Sequence, residues 1–261
     1  MGKRMDIKIF GERNTGTRAI ARIIKNNSKS FVYTKKETDM FGVFLYLMHF
    51  FRLIRIKRKY KQYIKDHVYL KQNLTWQWKH CATNFESLDE VENVHFVFMV
   101  RDPLSWLLSF YKNPYERLIE LPEQFGEFIH CEWKTSGRER LKRQTISPIK
   151  LYEKKLLYYK KFIKLLECNN VSYSIIRFED LIHDQETEFR KIEKFLDSPE
   201  KEFEELKKST KGRDKNIDYY KNYYGNRLWL NEISDEIRKD FHFNEELMRW
   251  LNYDARYYVD V

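Results

Sequence analysis

The order GERNTGTR, residues 11–18, brings together residue types that can hold an anion. Gly11 and Gly16 bracket four polar residues, and Thr17 and Arg18 lead into AIARIIKNN, where Ile20, Ile23 and Ile24 fall at helical spacing. Ahead of the loop, Ile7, Ile9 and Phe10 form a short apolar run that predicts a buried strand. The order is therefore strand, glycine-bounded loop, helix. A helix N-terminus carries unpaired backbone N–H groups and the positive end of the helix dipole, so it attracts an anion. Glycines let the loop turn tightly and approach a phosphate closely. In a P-loop the second glycine is followed by Lys and Ser or Thr. Here Thr17 stands at the Lys position with Arg18 behind it, which disfavours an ordinary nucleoside-triphosphatase loop. A plain strand-to-helix turn with two glycines is the competing reading.

The elements that must position this loop alternate in type. Residues 19–27 predict the first helix, and 30–34 and 67–72 predict short strands. Residues 91–100, VENVHFVFMV, end in a continuous β-branched and aromatic run expected of a central parallel strand buried on both faces. Asp102 then suits a helix N-cap and Pro103 the first turn of the helix that follows. Residues 123–134, 151–167, 186–196, 234–240 and 244–251 read as helices, and 171–181 as a strand that turns at Glu179–Asp180. The polar, tyrosine-rich stretch 209–228 reads as a loop, within a basic C-terminal loop spanning 209–230. Strands alternating with helices imply an α/β fold, with a central parallel sheet flanked by helices in three layers. In such sheets ligands sit beyond the carboxyl ends of the strands. Residues just after 10, 100 and 177 thus converge on one site, joined by the segment 76–80.

At 261 residues the chain suits one large domain or two small ones, and the expectation is a single domain over 1–261. A helical insertion is expected over 41–66. Its first part, FGVFLYLMHFF at 41–51, is almost wholly apolar and is followed by RLIRIKRKYKQYIK. It is too short to span a bilayer. A helix apolar at one end and basic at the other suits a membrane interface, which predicts peripheral contact through 41–57. The alternative is a buried helix with a solvated basic end. Cys81, Cys131 and Cys168 lie far apart and are odd in number, which argues against a disulfide framework or a zinc site. The net charge of +10 favours a polyanionic partner, although lysine abundance also serves solubility. With no apolar stretch of signal-peptide length at the start, the expected location is the cytoplasm, including the inner face of a membrane.

Three pieces together, GERNTGTR, VFMVRDPLSWLLSFY and IIRFEDLIHDQETEFRKIEKFL, resemble the PAPS-dependent sulfotransferases, over residues 6 to about 252. PAPS is 3′-phosphoadenosine 5′-phosphosulfate, and its spent form is adenosine 3′,5′-bisphosphate. The resemblance implies a P-loop-like fold in which the first loop, Gly11 with Arg13, Asn14, Thr15, Gly16, Thr17 and Arg18, holds the 5′-phosphosulfate through backbone N–H and hydroxyl donors. Arg101 and Ser109 match the Arg and Ser that grip the 3′-phosphate. Their separation of eight residues puts Arg101 at the strand end and Ser109 two turns into the next helix, near the same face. Lys211, Gly212 and Arg213 resemble a basic-glycine loop that closes over the same phosphate, and a solvated charge run explains them nearly as well. Within the fragment FEDL, Glu179 and Asp180 are expected to orient loops or cap a helix. WKHC resembles a segment that enters the active site in many sulfotransferases, which makes His80 the candidate base and Lys79 a candidate cation. An imidazole titrates near neutral pH, as a base at cellular pH should. If 76–80 is extended, Lys79 and His80 point to opposite sides and only one faces the ligand.

The chain departs from the family pattern at Asn14, where many sulfotransferases carry a lysine that bridges the leaving oxygen and the sulfonate. Arg13 or Lys79 must supply that cation, and Glu12 is a second candidate base. The loop and WKH resemble a less characterised bacterial or viral branch, similar to glycan sulfotransferases. The expected activity is sulfonate transfer from PAPS to a hydroxyl or amine, with no metal. The expected acceptor is a glycan or glycolipid rather than nucleic acid. The alternatives are a P-loop nucleotide kinase-like enzyme and a catalytically weak basic binding protein on the same fold.

Overall fold

The computed structural model describes residues 5–33, 65–67, 69–70, 72–88, 91–115, 120–200, 202–208 and 215–258. The expectations for 41–57 and 41–66, apart from the insertion's last two positions, and for Lys211, Gly212 and Arg213 lie outside the described residues. Strand β1 (Asp6–Gly11) pairs in parallel with β2 (Val32–Tyr33) on one side and with β3 (Val94–Val100) on the other. Strand β3 pairs in parallel with β6 (Tyr173–Arg177), giving the order β2-β1-β3-β6. The fold is thus α/β, with a central parallel sheet of four strands. The order reverses between β1 and β3, where an α/β sheet opens a crevice for ligands.

Alternation along the strands builds the two outer layers. Ile7, Ile9, Val97 and Met99 point to one face and pack with Ile20, Ile23 and Ile24 of α1 (Thr17–Asn27) and with Phe189 and Ile192 of α6 (Gln185–Glu193). Phe10, Phe96, Phe98 and Val100 point to the other. They meet Leu104 and Leu107 of α2 (Pro103–Lys112) and Leu156, Tyr159 and Phe162 of α4 (Pro148–Cys168). Every β3 residue is buried, as a strand covered on both faces requires. Asp102 caps α2 by accepting from the Ser105 N–H at 2.8 Å, with Pro103 in the first turn. Between these helices, α3 (Phe125–His130) ends early, and Trp133–Lys134 and Thr145–Ile146 pair as an antiparallel ribbon, β4 and β5, rather than prolonging a helix to 134. Arg177 ends β6 and α5 (Phe178–His183) opens at once, so the strand read over 171–181 stops at 177 and Glu179 and Asp180 lie in the first turn of a helix.

Two further segments differ from expectation. Residues 67, 69 and 70, read within a strand over 67–72, are helical, in line with 65 and 66 at the end of the expected helical insertion. The buried Asp66 carboxylate accepts from the Gly137 N–H at 2.7 Å and the Arg138 N–H at 3.2 Å, a tertiary tie that alternation cannot reveal. The tyrosine-rich stretch taken for a loop contains α7 (Ile217–Gly225), capped by the Asn216 side chain on the Tyr219 N–H. No α7 residue is fully buried, so it lacks the apolar periodicity by which a helix is recognised. Its rings stack at helical spacing instead, Tyr219 with Tyr223 and Tyr220 with Tyr224. Helices α8 (Asp235–Lys239) and α9 (Glu245–Trp250) follow where the pattern put them. Among the described residues no helix is long and apolar enough to cross a membrane.

Candidate functional site

The loop after β1 is tight because two residues adopt left-handed backbone: Asn14 at φ 66° and Gly16 at φ 86°. Asn tolerates that region and glycine has no penalty there. A Cβ on Gly16 would also come 3.0 Å from the Phe178 ring, and one on Gly11 would lie 2.7 Å from the Met99 Cβ. Glycine is thus required at both ends of the loop. The Gly16 carbonyl accepts from the Ala19 and Ile20 N–H groups, so α1 begins at Thr17. Ahead of these two, the Thr17 and Arg18 N–H groups at the start of the helix have no partner within it. Thr15 and Thr17 are buried, and the Thr15 hydroxyl donates to the Glu12 carbonyl at 2.6 Å. The Thr15 hydroxyl thereby closes the loop.

A buried charge cluster fixes the loop from beneath. The Lys155 ammonium bridges the carboxylates of Glu12 and Glu139 and donates to the His80 carbonyl at 3.0 Å. Glu12 also accepts from the Arg13 N–H and from the Tyr115 hydroxyl. Burial raises the Glu12 carboxyl, and Lys155 only partly offsets it. Burial acts the same way on Glu139, but Lys155 and the Ser136 donors outweigh it and hold that carboxyl below its usual range. The two carboxylates hold the Lys155 ammonium up against its own burial. Glu12 is fully buried on these partners and anchors the loop.

The segment expected to join the loop does so through two backbone-directed bonds. The Gly11 N–H donates to the Lys79 carbonyl at 2.9 Å, and the His80 Nδ1 donates to the Gly11 carbonyl at 2.6 Å. Since a carbonyl only accepts, Nδ1 carries the proton and Nε2 is left as an acceptor. Burial, then Lys79 and Arg13, hold the His80 pKa well below the usual histidine value, so the ring is neutral. The Trp78 ring fixes its orientation edge-on at 5.2 Å. Residues 79–80 form a turn rather than an extended run. Lys79 and His80 consequently line the same cavity, contrary to the expectation that only one could. Burial, with Arg18 and Arg13 nearby, lowers the Lys79 ammonium to about 8.

Two cavities meet at the loop. The first, about 460 Å³, is walled by Arg13 and Arg18 from the loop and by Trp78, Lys79 and His80. The Arg13 guanidinium lies 4.0 Å over the Tyr115 ring and 5.0 Å from the Trp78 ring. The second region lies across the loop, where Asn14 and Gly16 face Arg101, Ser109, Tyr220 and Tyr224. It continues into a space of about 660 Å³ bordered by Arg101, Ser109 and the α7 tyrosines. Arg18 was expected with the first group of cofactor ligands; it turns to the His80 side.

Arg101 is more heavily engaged by the protein than its sequence context indicated. The side chain is 3% exposed. Nε and Nη2 donate to the Ser105 hydroxyl, Nη1 to the Asn14 carbonyl at 2.9 Å and Nη2 to the Tyr224 hydroxyl at 3.0 Å. The guanidinium is also flanked by the Phe178 ring at 4.4 Å and the Tyr224 ring at 4.9 Å. Four of the five N–H donors of a guanidinium are thereby used, and among the described residues one on Nη1 remains. Arg101 joins the loop, α2, α5 and α7 at the mouth of the crevice. Ser109 sits beside it and accepts the Asn14 amide on its carbonyl at 3.4 Å. Behind them the Glu179 carboxylate accepts from the Asp102 N–H and the Tyr253 hydroxyl, and Asp102 from the Tyr258 hydroxyl, which ties the C-terminal segment to the start of α2. Burial and then Glu179 push the Asp102 carboxyl up to about 7.

Gly11, Arg13, Asn14, Gly16, Arg18, Lys79, His80, Arg101 and Ser109 therefore gather beyond the ends of β1 and β3. Sequence reasoning missed Lys155, Glu139 and Tyr115. They are brought together from helices and loops distant in the chain, so no local spacing marks them. Tyr224, one of four tyrosines that could stack on a sugar or pack the C-terminal segment, lies against Arg101. Comparison of the chain with protein-family models and with curated proteins gave no match.

Proposed function

We propose that this chain is a PAPS-dependent sulfotransferase with a P-loop-like fold, moving a sulfonate group onto a hydroxyl or amine of a carbohydrate acceptor. The observation that carries the reading is the sharing of one loop between two cavities. Asn14 and Gly16 face the Arg101–Ser109 side, and Arg13 and Arg18 face the His80 side. A donor with an anionic group at each end and a separate acceptor can then approach the same loop from opposite sides. The residues suit such a donor. The first-turn N–H groups of α1 would hold its 5′ end. The remaining Arg101 N–H and the Ser109 hydroxyl would hold its 3′-phosphate, and the Tyr220 and Tyr224 rings would cover its base. When bound, PAPS supplies an activated sulfonate on a phosphate leaving group.

This chain's own groups provide the proton and charge management. His80 Nε2 accepts the proton of the attacking hydroxyl, while the Gly11 carbonyl holds the proton on Nδ1 and so fixes the tautomer. Lys79 and Arg13 supply positive charge beside it, in the place of the lysine that Asn14 lacks. The test is transfer of radiolabelled sulfonate from PAPS to a panel of glycans. His80→Ala should lower incorporation by about 10²-fold or more while adenosine 3′,5′-bisphosphate still binds. Unchanged incorporation in that variant would remove His80 as the base.

A further inference from the structure

The cavity beside His80 carries more positive charge than sulfonate transfer needs. Its walls include Arg13, Arg18, Arg22, Lys25 and Lys79 and, among the described residues, no carboxylate. Arg13 and Lys79 stand at the reaction end. Arg18, Arg22 and Lys25 instead project from α1, at intervals of four and three residues, along one face. At 1.5 Å per residue the stripe runs about 10 Å from the loop. All three are exposed, and none has an acidic partner among the described residues. A row of unneutralised cations leading away from a reactive histidine sets up a one-signed field that concentrates an anionic ligand and orients it. Tyr69 and Trp78 add aromatic rings to the lining of the same cavity.

We infer that the acceptor is an acidic oligosaccharide, one whose carboxylate or ester-sulfate groups lie along Arg18, Arg22 and Lys25 while its reacting hydroxyl reaches His80. The assignment of this ligand as acceptor rests on the sulfotransferase reading; its binding can be measured without it. The stripe sets which acceptors are taken up, and the His80 end carries the chemistry.

The experiment titrates the full chain with three probes by calorimetry. They are a galacturonate hexamer, the same hexamer with its carboxyl groups reduced, and a single-stranded oligodeoxynucleotide of equal charge. The uronate should bind at least about tenfold more tightly than the reduced hexamer. Its affinity should fall between about 50 mM and about 500 mM salt. Arg22→Glu with Lys25→Glu should weaken uronate binding by about tenfold or more. Arg22→Gln with Lys25→Gln should lie between that variant and the wild type, and both should keep the wild-type circular dichroism spectrum. Equal binding of the charged and reduced hexamers, or uronate affinity unaltered in the double variants, would overturn the inference. Tighter binding of the oligonucleotide than of the uronate would replace the glycan by a nucleic acid and overturn it as well. Uronate binding without adenosine 3′,5′-bisphosphate binding would sink the transfer reading and leave the anionic ligand standing. Bisphosphate binding with no preference for the uronate would do the reverse.

Discussion

Lys79 and His80 are adjacent in sequence and opposite in electrostatic role. The imidazole is kept neutral by burial and by the cations around it, so its basic nitrogen stays available well into the acid range. The ammonium is lowered by burial to about 8. A lysine is charged below its pKa and neutral above it, so the Lys79 share of the positive charge beside His80 is lost as pH rises through about 8. Turnover should accordingly decline on the alkaline side through that range, and Lys79→Arg should shift the decline upward because a guanidinium stays protonated. A pH–rate profile of the two proteins checks this, and superimposable alkaline limbs would remove Lys79 from the charge balance. Residue types made both side chains legible in the sequence. Their shared orientation was not legible, because it depends on a turn at 79–80 and on two bonds to Gly11, which is far away along the chain.

At the scale of elements, the loop after β1 is held by α4, the helix packed over the opposite sheet face from α1. Lys155 of α4 joins Glu12 of the loop, Glu139 and the His80 carbonyl in one buried cluster. Removing the cation leaves two carboxylates buried together without compensation, the costly way to break such a cluster. Lys155→Met should therefore destabilise the fold by about 3–5 kcal/mol. Urea unfolding measures it, and a loss below about 1 kcal/mol would show the cluster to be hydrated and weak. Strand β1, the glycine loop and α1 were readable from the alternation of Ile7 and Ile9 and the spacing of Ile20, Ile23 and Ile24. The cluster was not, since Glu12, Glu139 and Lys155 carry no mutual spacing that a helix or strand would impose. Helix α7 was lost for a different reason: its order comes from tyrosine stacking and from the Tyr224 hydroxyl on Arg101 rather than from a buried apolar stripe.

Across the whole molecule, the reversal of strand order between β1 and β3 brings the glycine loop, the 79–80 turn and the start of α2 to one edge of the sheet. Alternating strands and helices and the apolar run 96–100 in β3 made that arrangement foreseeable. The division of the crevice into two cavities was not foreseeable, because it arises from which way Arg13, Asn14 and Arg18 turn within the loop. Arg101 shows the same limit. Its place at the end of β3 follows from the sequence, but its engagement with Asn14, Ser105 and Tyr224 follows only from packing. If the crevice takes a nucleotide phosphorylated at both the 3′ and 5′ positions, as proposed, calorimetric titration with adenosine 3′,5′-bisphosphate and with Mg·ATP separates the two. The bisphosphate should bind tightly, about tenfold less so in Ser109→Ala, and ATP much more weakly. Tight ATP binding with indifference to the bisphosphate would contradict the proposal.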